Sequence, residues 1–249
     1  MDHDRAVAAF AAAREEVLAR MAAACARGGR DPSSVRLVAV SKTVAAERLR
    51  DAVAAGLTTL GENRVQEGAA KAPEVPGARW ELVGPLQSNK ARRALEVFDA
   101  IQAVDSVELA QRLDRLAPEV RPGGRYPVLV QVNVDVDPAK AGFLPGDVDA
   151  AMAEVVALPN LAVRGLMTVG SLAASPDDAR STFRGLHELS SALRAAWPSL
   201  GPDLSMGMSD DFEVAIEEGA TIVRVGRALF GERPHEHGDG PIEHVHGGA

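Results

Sequence analysis

Of the 27 basic residues in the chain only four are lysines, Lys42, Lys71, Lys90 and Lys140, and all the others are arginines. Arginine serves a solvated position as well as lysine does but cannot release a proton to become a neutral amine, so each retained lysine is a candidate for amine chemistry. Lys42 directly follows the apolar run Leu37-Val38-Ala39-Val40. An amine at the end of a buried strand is partly desolvated, which disfavours the ammonium and makes the free amine available for a Schiff base with an aldehyde. A solvated lysine at a strand end is the plainer alternative. Lys71 and Lys90 fall in or beside helical patterns and read as surface charges, while Lys140 lies in the loop 135–143, where it could face a ligand.

Two stretches near the C-terminus form a second group: Ser205-Met206-Gly207-Met208-Ser209-Asp210-Asp211 and Arg224-Val225-Gly226-Arg227. Glycines that let the backbone come close, followed by helix starts with unpaired N–H groups, are the components of a phosphate cradle. Tight turns alone would also explain the glycines. Arg224 lies between apolar neighbours and needs partners, because an unpaired guanidinium is costly to bury. A ligand ring nitrogen, a carboxylate or an internal ion pair would each serve. Histidine chemistry lacks its parts. His3 and His187 lie in helical patterns and His235, His237, His244 and His246 in the tail, which disfavours histidine-ligated metal hydrolysis and Ser-His-Asp catalysis.

The elements that must position these groups alternate. Short apolar runs at 36–41, 58–61, 80–84, 100–104, 127–134, 162–168, 203–206 and 221–226 read as strands. Helical patterns lie between them at 45–55, 64–72, 89–97, 107–117, 145–157, 176–196 and 211–218, and an extra helix at about 5–27 precedes the first strand. Asp105 with Glu108, Asp210 with Glu213, and Ser175 before Pro176 supply start signals. Eight strands joined by helices within roughly 250 residues predict an α/β fold, a single-domain (β/α)8 TIM-like barrel with an additional N-terminal helix over residues 1–231. A doubly wound sheet is the alternative. In a barrel the strand ends carry function. They read Ser41-Lys42, Gly61-Glu62-Asn63, Gly84-Pro85, Asp105-Ser106, Asn133, Met167-Thr168, Ser205-Met206-Gly207 and Arg224-Val225-Gly226.

Composition narrows the setting. The 249 residues carry a formal charge of −8, 46% hydrophobic and 4% aromatic residues, and one cysteine. No apolar stretch approaches membrane-spanning length, and an acidic, aromatic-poor chain argues against nucleic-acid binding. Cys25 cannot form an internal disulfide and no cleavable signal is evident, which points to the cytoplasm. No long exposed apolar stripe suggests an oligomer, so a monomer is expected. The Gly/His-containing tail 232–249 reads as disordered.

The stretches LVAVSKTV (37–44), GENRVQE (61–67), ELVGPLQSNK (81–90), KAGF (140–143), RGLMTVG (164–170) and LSMGMSDDFEVAIEEGATIVRVGRALFG (204–231) together resemble the pyridoxal phosphate homeostasis proteins, collinearly from about residue 36 to 231. That family is a single-domain barrel related to the N-terminal domain of alanine racemases. The resemblance implies that Lys42 forms a reversible Schiff base with pyridoxal 5'-phosphate and that Asn63 lies beside the cofactor. It further implies that Ser209 with Gly207, and Gly226 with the backbone of Arg227, hold the phosphate, with Met167 and Ser205 lining the site and Arg224 facing the pyridine nitrogen. An arginine there discourages ring protonation and makes the ring a poor electron sink. Three positions depart from the family pattern: Val44 replaces a second lysine, Arg64 an aromatic residue and Arg227 a small hydroxylated one.

The function implied is a carrier and buffer of pyridoxal phosphate, with apo forms of pyridoxal phosphate enzymes as possible recipients and without strong catalysis. A weak amino-acid racemase is the alternative, and an aldolase-like barrel a third reading. Racemisation needs acid/base groups on both cofactor faces. The only tyrosine, Tyr126, precedes a strand at the opposite end from Lys42.

Overall fold

The computed structural model describes residues 3–170 and 175–231. Eight parallel strands close into a barrel in sequence order: β1 Arg36–Val40, β2 Thr59–Glu62, β3 Arg79–Leu82, β4 Ala100–Val104, β5 Tyr126–Gln131, β6 Leu161–Met167, β7 Asp203–Ser205 and β8 Ile222–Val225. Closure comes from β1 against β8, with Leu37 opposite Val223 and Val38 opposite Arg224. The helices are α1 His3–Arg27, α2 Ala46–Ala54, α3 Val65–Lys71, α4 Ala91–Val97, α5 Val107–Val120, α6 Val148–Val155, α7 Arg180–Ala196, α8 Phe212–Glu217 and α9 Arg227–Phe230. The closed ring excludes the doubly wound alternative. The expected tail at 232–249, with its four histidines, lies outside the described residues. Among the described residues no helix is long and apolar enough to cross a membrane.

Helix α1 buries Ala6, Phe10, Val17, Met21 and Ala24, a helical stripe, against α2, α8 and α9. Phe10 meets the Phe230 ring edge-on at 5.7 Å, and Arg20 and Arg27 donate to Glu213 and Glu217 of α8 at 2.7 and 2.6 Å. The extra helix therefore lies over the seam where the last strand meets the first.

Alternation along the strands sends Ala39, Leu60, Leu82, Leu204 and Val223 outward into one large core shared with the helices. Val38, Ala103, Leu129, Met167 and Ile222, from five different strands, and Val83, just past the end of β3, form a second apolar cluster inside the barrel. Two irregularities shape that interior. Between Ile101 and Val104, β4 carries one residue more than its partner on β5, so the consecutive Gln102 and Ala103 are both buried inside. In β6, Val163 and Gly165 face consecutive residues of β5, Val128 and Leu129, so Arg164 is the extra residue. Such bulges re-aim side chains.

Several helix ends differ from the sequence reading. Helix α5 runs through Pro118 to Val120 rather than stopping before it. The carbonyl of Asp114, which Pro118 cannot engage, accepts instead from Asn160 Nδ2 at 3.2 Å. Its cap is Ser106, whose hydroxyl accepts from Leu109 N at 3.2 Å, and not Asp105. Asp210 likewise does not cap α8. Asp211 precedes that helix and its carboxylate accepts from Met208 N at 2.6 Å. Before α7 the Ser175 start signal holds, with Ser175 N donating to Asp178 at 2.9 Å. Strand β5 ends at Gln131 because the loop after it folds back, Asn133 N donating to Phe143 O at 2.9 Å.

Gly165 has φ +153, and a Cβ there would lie 1.9 Å from the Asp203 carbonyl oxygen. Gly165→Ala is expected to lose about 3 kcal/mol or more of unfolding free energy, through overpacking against backbone. Gly124→Ala, where a Cβ meets nothing within 4 Å, should stay within about 0.5 kcal/mol of wild type. Urea midpoints of the two variants check this.

Candidate functional site

Val38 and Val40 of β1 pack with the interior cluster, and the outward Ser41 donates its hydroxyl to Glu62 Oε1 at 2.8 Å. Lys42 follows at the C-terminal end of β1 and is half-buried. The turn that carries it is tight: Val44 N donates to Ser41 O at 3.0 Å, and Thr43 has φ 66, a left-handed conformation for a β-branched residue. Asn63, half-buried, stands at the end of β2, its backbone against Gly84.

On the same mouth stand the ends of β7 and β8. Gly207 has φ +89, and a Cβ there would come within 2.6 Å of Ala215 Cβ and 2.9 Å of Phe212 Cα, so this turn requires glycine. Ser209 accepts from Gly226 N at 3.2 Å and so ties the two turns together. Gly226 opens α9. Arg227 is exposed and pairs with Asp210 across the same turns, a surface contact that contributes little to stability.

Beneath this mouth lies Arg224, 5% exposed. Its Nη1 donates to Ser205 Oγ at 2.5 Å and its Nη2 to the Thr168 carbonyl at 2.7 Å. The partners are neutral oxygens rather than the ion pair considered from sequence. Burial pulls the guanidinium pKa down to about 10, with the Asp211 carboxylate opposing, so the group stays cationic at neutral pH.

Ser205 and Met167 are fully buried. Met167 belongs to the interior apolar cluster, and the Ser205 hydroxyl donates to Gln102 Oε1 at 2.6 Å while accepting from Arg224. Both stand below the mouth. Gln102 Nε2 in turn donates to Glu81 Oε2 at 2.5 Å, and the fully buried Glu81 accepts from Arg36 Nη1 at 2.8 Å and Arg79 Nε at 3.2 Å. A continuous hydrogen-bonded chain thus crosses the barrel from Arg36 and Arg79 to Arg224. Sequence reasoning missed Gln102 and Glu81. Their signal was a polar residue inside each of the apolar runs at 80–84 and 100–104.

The lysines sort differently from expectation. Lys71 is not a surface charge: its side chain is 13% exposed, and Nζ donates to Glu62 Oε1 at 2.6 Å and to the Ser41 carbonyl at 3.0 Å. Glu62 faces outward from β2 under α3, so a cation had to follow it into the core. Lys140 is tied to Asp135 at 2.9 Å, in a loop clamped by Asn133, whose Nδ2 donates to the Asp137 carbonyl at 2.8 Å. Tyr126 lies at the opposite end of the barrel from Lys42, buried in the core outside the strands, where it donates to the Phe98 carbonyl at 2.7 Å and has its pKa raised by burial.

Burial also raises the Glu62 pKa, against the lowering effect of Lys71 and Ser41. A carboxyl whose folded pKa exceeds its unfolded one binds its proton more tightly when folded. Its contribution to stability is therefore retained at low pH and lost as pH rises past the ordinary glutamate value of about 4.3. Lys71→Met removes the compensating cation and is expected to cost about 3 kcal/mol at neutral pH, less at pH 5 and more at pH 8. Adding Glu62→Gln should recover most of the loss. Denaturant titrations at the three pH values check the trend.

The chain matches the alanine racemase N-terminal domain family over residues 18–234. The pyridoxal phosphate homeostasis protein of Pseudomonas aeruginosa is 45% identical, over 88% of this chain and 94% of that protein, and that of Escherichia coli is 37% identical over 88% and 95%. The structure of PipY from Synechococcus elongatus with PLP bound superposes with a TM-score of 0.76 at 41% identity, over 86% of this chain and all of that one. An alanine racemase from Clostridium difficile shares the fold, with a TM-score of 0.64 at 17% identity over 82% of this chain and 53% of its own. The identities across nearly the full length of these relatives, together with the shared barrel, place this chain in the pyridoxal phosphate homeostasis protein family.

Proposed function

We propose that this chain binds pyridoxal 5'-phosphate reversibly, with Lys42 as the amine that forms the Schiff base, and that it buffers and hands on the cofactor without strong catalysis. The observation that carries the reading is the state of Arg224. Two of its five N–H donors are spent on Ser205 and Thr168, and it lies at the base of the mouth that holds Lys42, Gly207, Ser209 and Gly226. A buried cation with unspent donors suits a ligand that presents an acceptor. Support also comes from the PLP-bound relative and from the name its curated relatives carry.

In this reading Gly207, Ser209, Gly226 and Arg227 hold the phosphate, and the Ser209 hydroxyl already aligns the two turns that would grip it. Asn63 flanks the ligand, and Met167 and Ser205 form the floor under it. Pyridoxal phosphate, when bound, supplies an aldehyde for an amine and a ring that can draw electrons from an attached carbon. Arg224 faces the ring nitrogen and, being cationic, disfavours a proton there. This favours holding the cofactor over carbanion chemistry. Racemisation would further need a second acid/base group, and Tyr126 is buried at the far end of the barrel with its hydroxyl bonded to the Phe98 carbonyl. Release to apo forms of pyridoxal phosphate enzymes and action as a cytoplasmic monomer belong to the same proposal.

The test is reductive trapping. Protein mixed with pyridoxal phosphate should show a visible absorption band, and after borohydride treatment peptide mass spectrometry should find the label on Lys42. Lys42→Ala should lose the band while keeping its circular dichroism. Label confined to another lysine would overturn the assignment of Lys42, and robust turnover of an amino acid by the pure protein would overturn the carrier reading.

A further inference from the structure

The opposite end of the barrel, where the strands begin, opens into a cavity of about 350 Å³. Arg36, Arg79, Arg125 and Arg164 line it, with Gln102 and Asp203 among the other wall residues. We propose that this N-terminal mouth is a second ligand site, which binds a small organic anion carrying at least two oxyanion groups, phosphoryl or carboxylate.

The charge count is the first support. Four guanidiniums stand at this mouth against two carboxylates, those of Glu81 and Asp203. Glu81 is fully buried and already engages Arg36 and Arg79, at 2.8 and 3.2 Å. Arg125 makes one long bond, to the Leu158 carbonyl at 3.4 Å, and Arg164 makes no hydrogen bond or ion pair among the described residues. Neither guanidinium is hydrogen-bonded to a carboxylate, and Arg164 shares the field of Asp203 with Arg36, so the mouth keeps an excess of positive charge on a chain whose formal charge is −8. An unneutralised cationic concavity on an acidic protein focuses anions, and the planar fork of arginine suits paired oxygens.

The backbone is the second support. Arg164 is the extra residue of the β6 bulge, and the glycine after it, at φ +153, packs directly on the Asp203 carbonyl. An irregularity that costs strand regularity turns a cation toward this mouth. Gln102, set by the other bulge, forms part of the floor and fixes Glu81. The cavity volume is at the lower end of the range of small-molecule sites, about 300–1,000 Å³. The inference does not depend on what binds beside Lys42.

Calorimetric titration of the full chain at low ionic strength, with inorganic pyrophosphate and separately with citrate, tests it. Wild type should bind saturably. Arg125→Ala/Arg164→Ala should weaken that binding at least tenfold with an unchanged thermal midpoint, while Ser209→Ala/Arg227→Ala, at the other mouth, should retain it. If the double arginine variant does not fold, Arg164→Gln alone replaces it with the same expected direction. The proposal is overturned if neither anion binds wild type saturably, if the arginine variant titrates as wild type does, or if the Ser209→Ala/Arg227→Ala change alone abolishes all binding. Tighter pyrophosphate would assign the site to phosphorylated compounds and tighter citrate to polycarboxylates, and either ranking supports it.

Discussion

A cation inside a barrel has to be held by something, and here no carboxylate touches it. Arg224 is carried by Ser205 and by a main-chain oxygen, and Ser205 is oriented by Gln102, which is oriented by Glu81, whose charge is met by Arg36 and Arg79. Each member satisfies the next, so a buried polar network that would be costly if broken at one point is closed at both ends by charge. The apolar cluster of Val38, Val83, Ala103, Leu129, Met167 and Ile222 fills the space beside it. The cluster and the network together occupy the barrel interior between the two mouths.

The same arrangement explains why the mouth beside Lys42 is so economical. The outer shell of helices supplies packing, with Leu49, Leu95, Leu113, Phe183 and Phe212 fully buried against the outward faces of the strands. The rim is left to short turns whose residues are chosen for shape, such as Gly207, or for linking neighbours, such as Ser209. Glu62 and Lys71 stand behind the Lys42 turn, and their pairing to the Ser41 hydroxyl and carbonyl stiffens that turn from outside the barrel.

How far the amino-acid pattern alone reaches can be judged residue by residue. The eight apolar runs became the eight strands because parallel strands buried on both faces must be continuously apolar, and their glycine- and polar-rich ends marked one mouth. The need of Arg224 for partners followed from its apolar neighbours, but their identity did not. Gln102 sits next to a bulge, and a bulge breaks the two-residue alternation on which an inward or outward assignment rests. Lys71 read as solvated because helical periodicity shows which face is polar, and nothing in it tells that a buried glutamate on the adjacent strand will draw a lysine inward. Pro118 read as a helix end for lack of any local sign that Asn160, on a distant loop, would take the orphaned carbonyl.

Pairing of β1 with β8 carries a temporal corollary. A polypeptide leaves the ribosome from its N-terminus. Val38 is made early, yet its neighbour across the seam is Arg224, and α1 waits for α8 and α9 before its stripe is covered. Until the final strand emerges the cylinder is an open sheet with two raw edges, and neither the guanidinium nor the glycine turn after it is present. The ring and the paired turns at the ends of β7 and β8 are therefore completed in the same late event, so an unfinished chain has the lysine without those turns beside it.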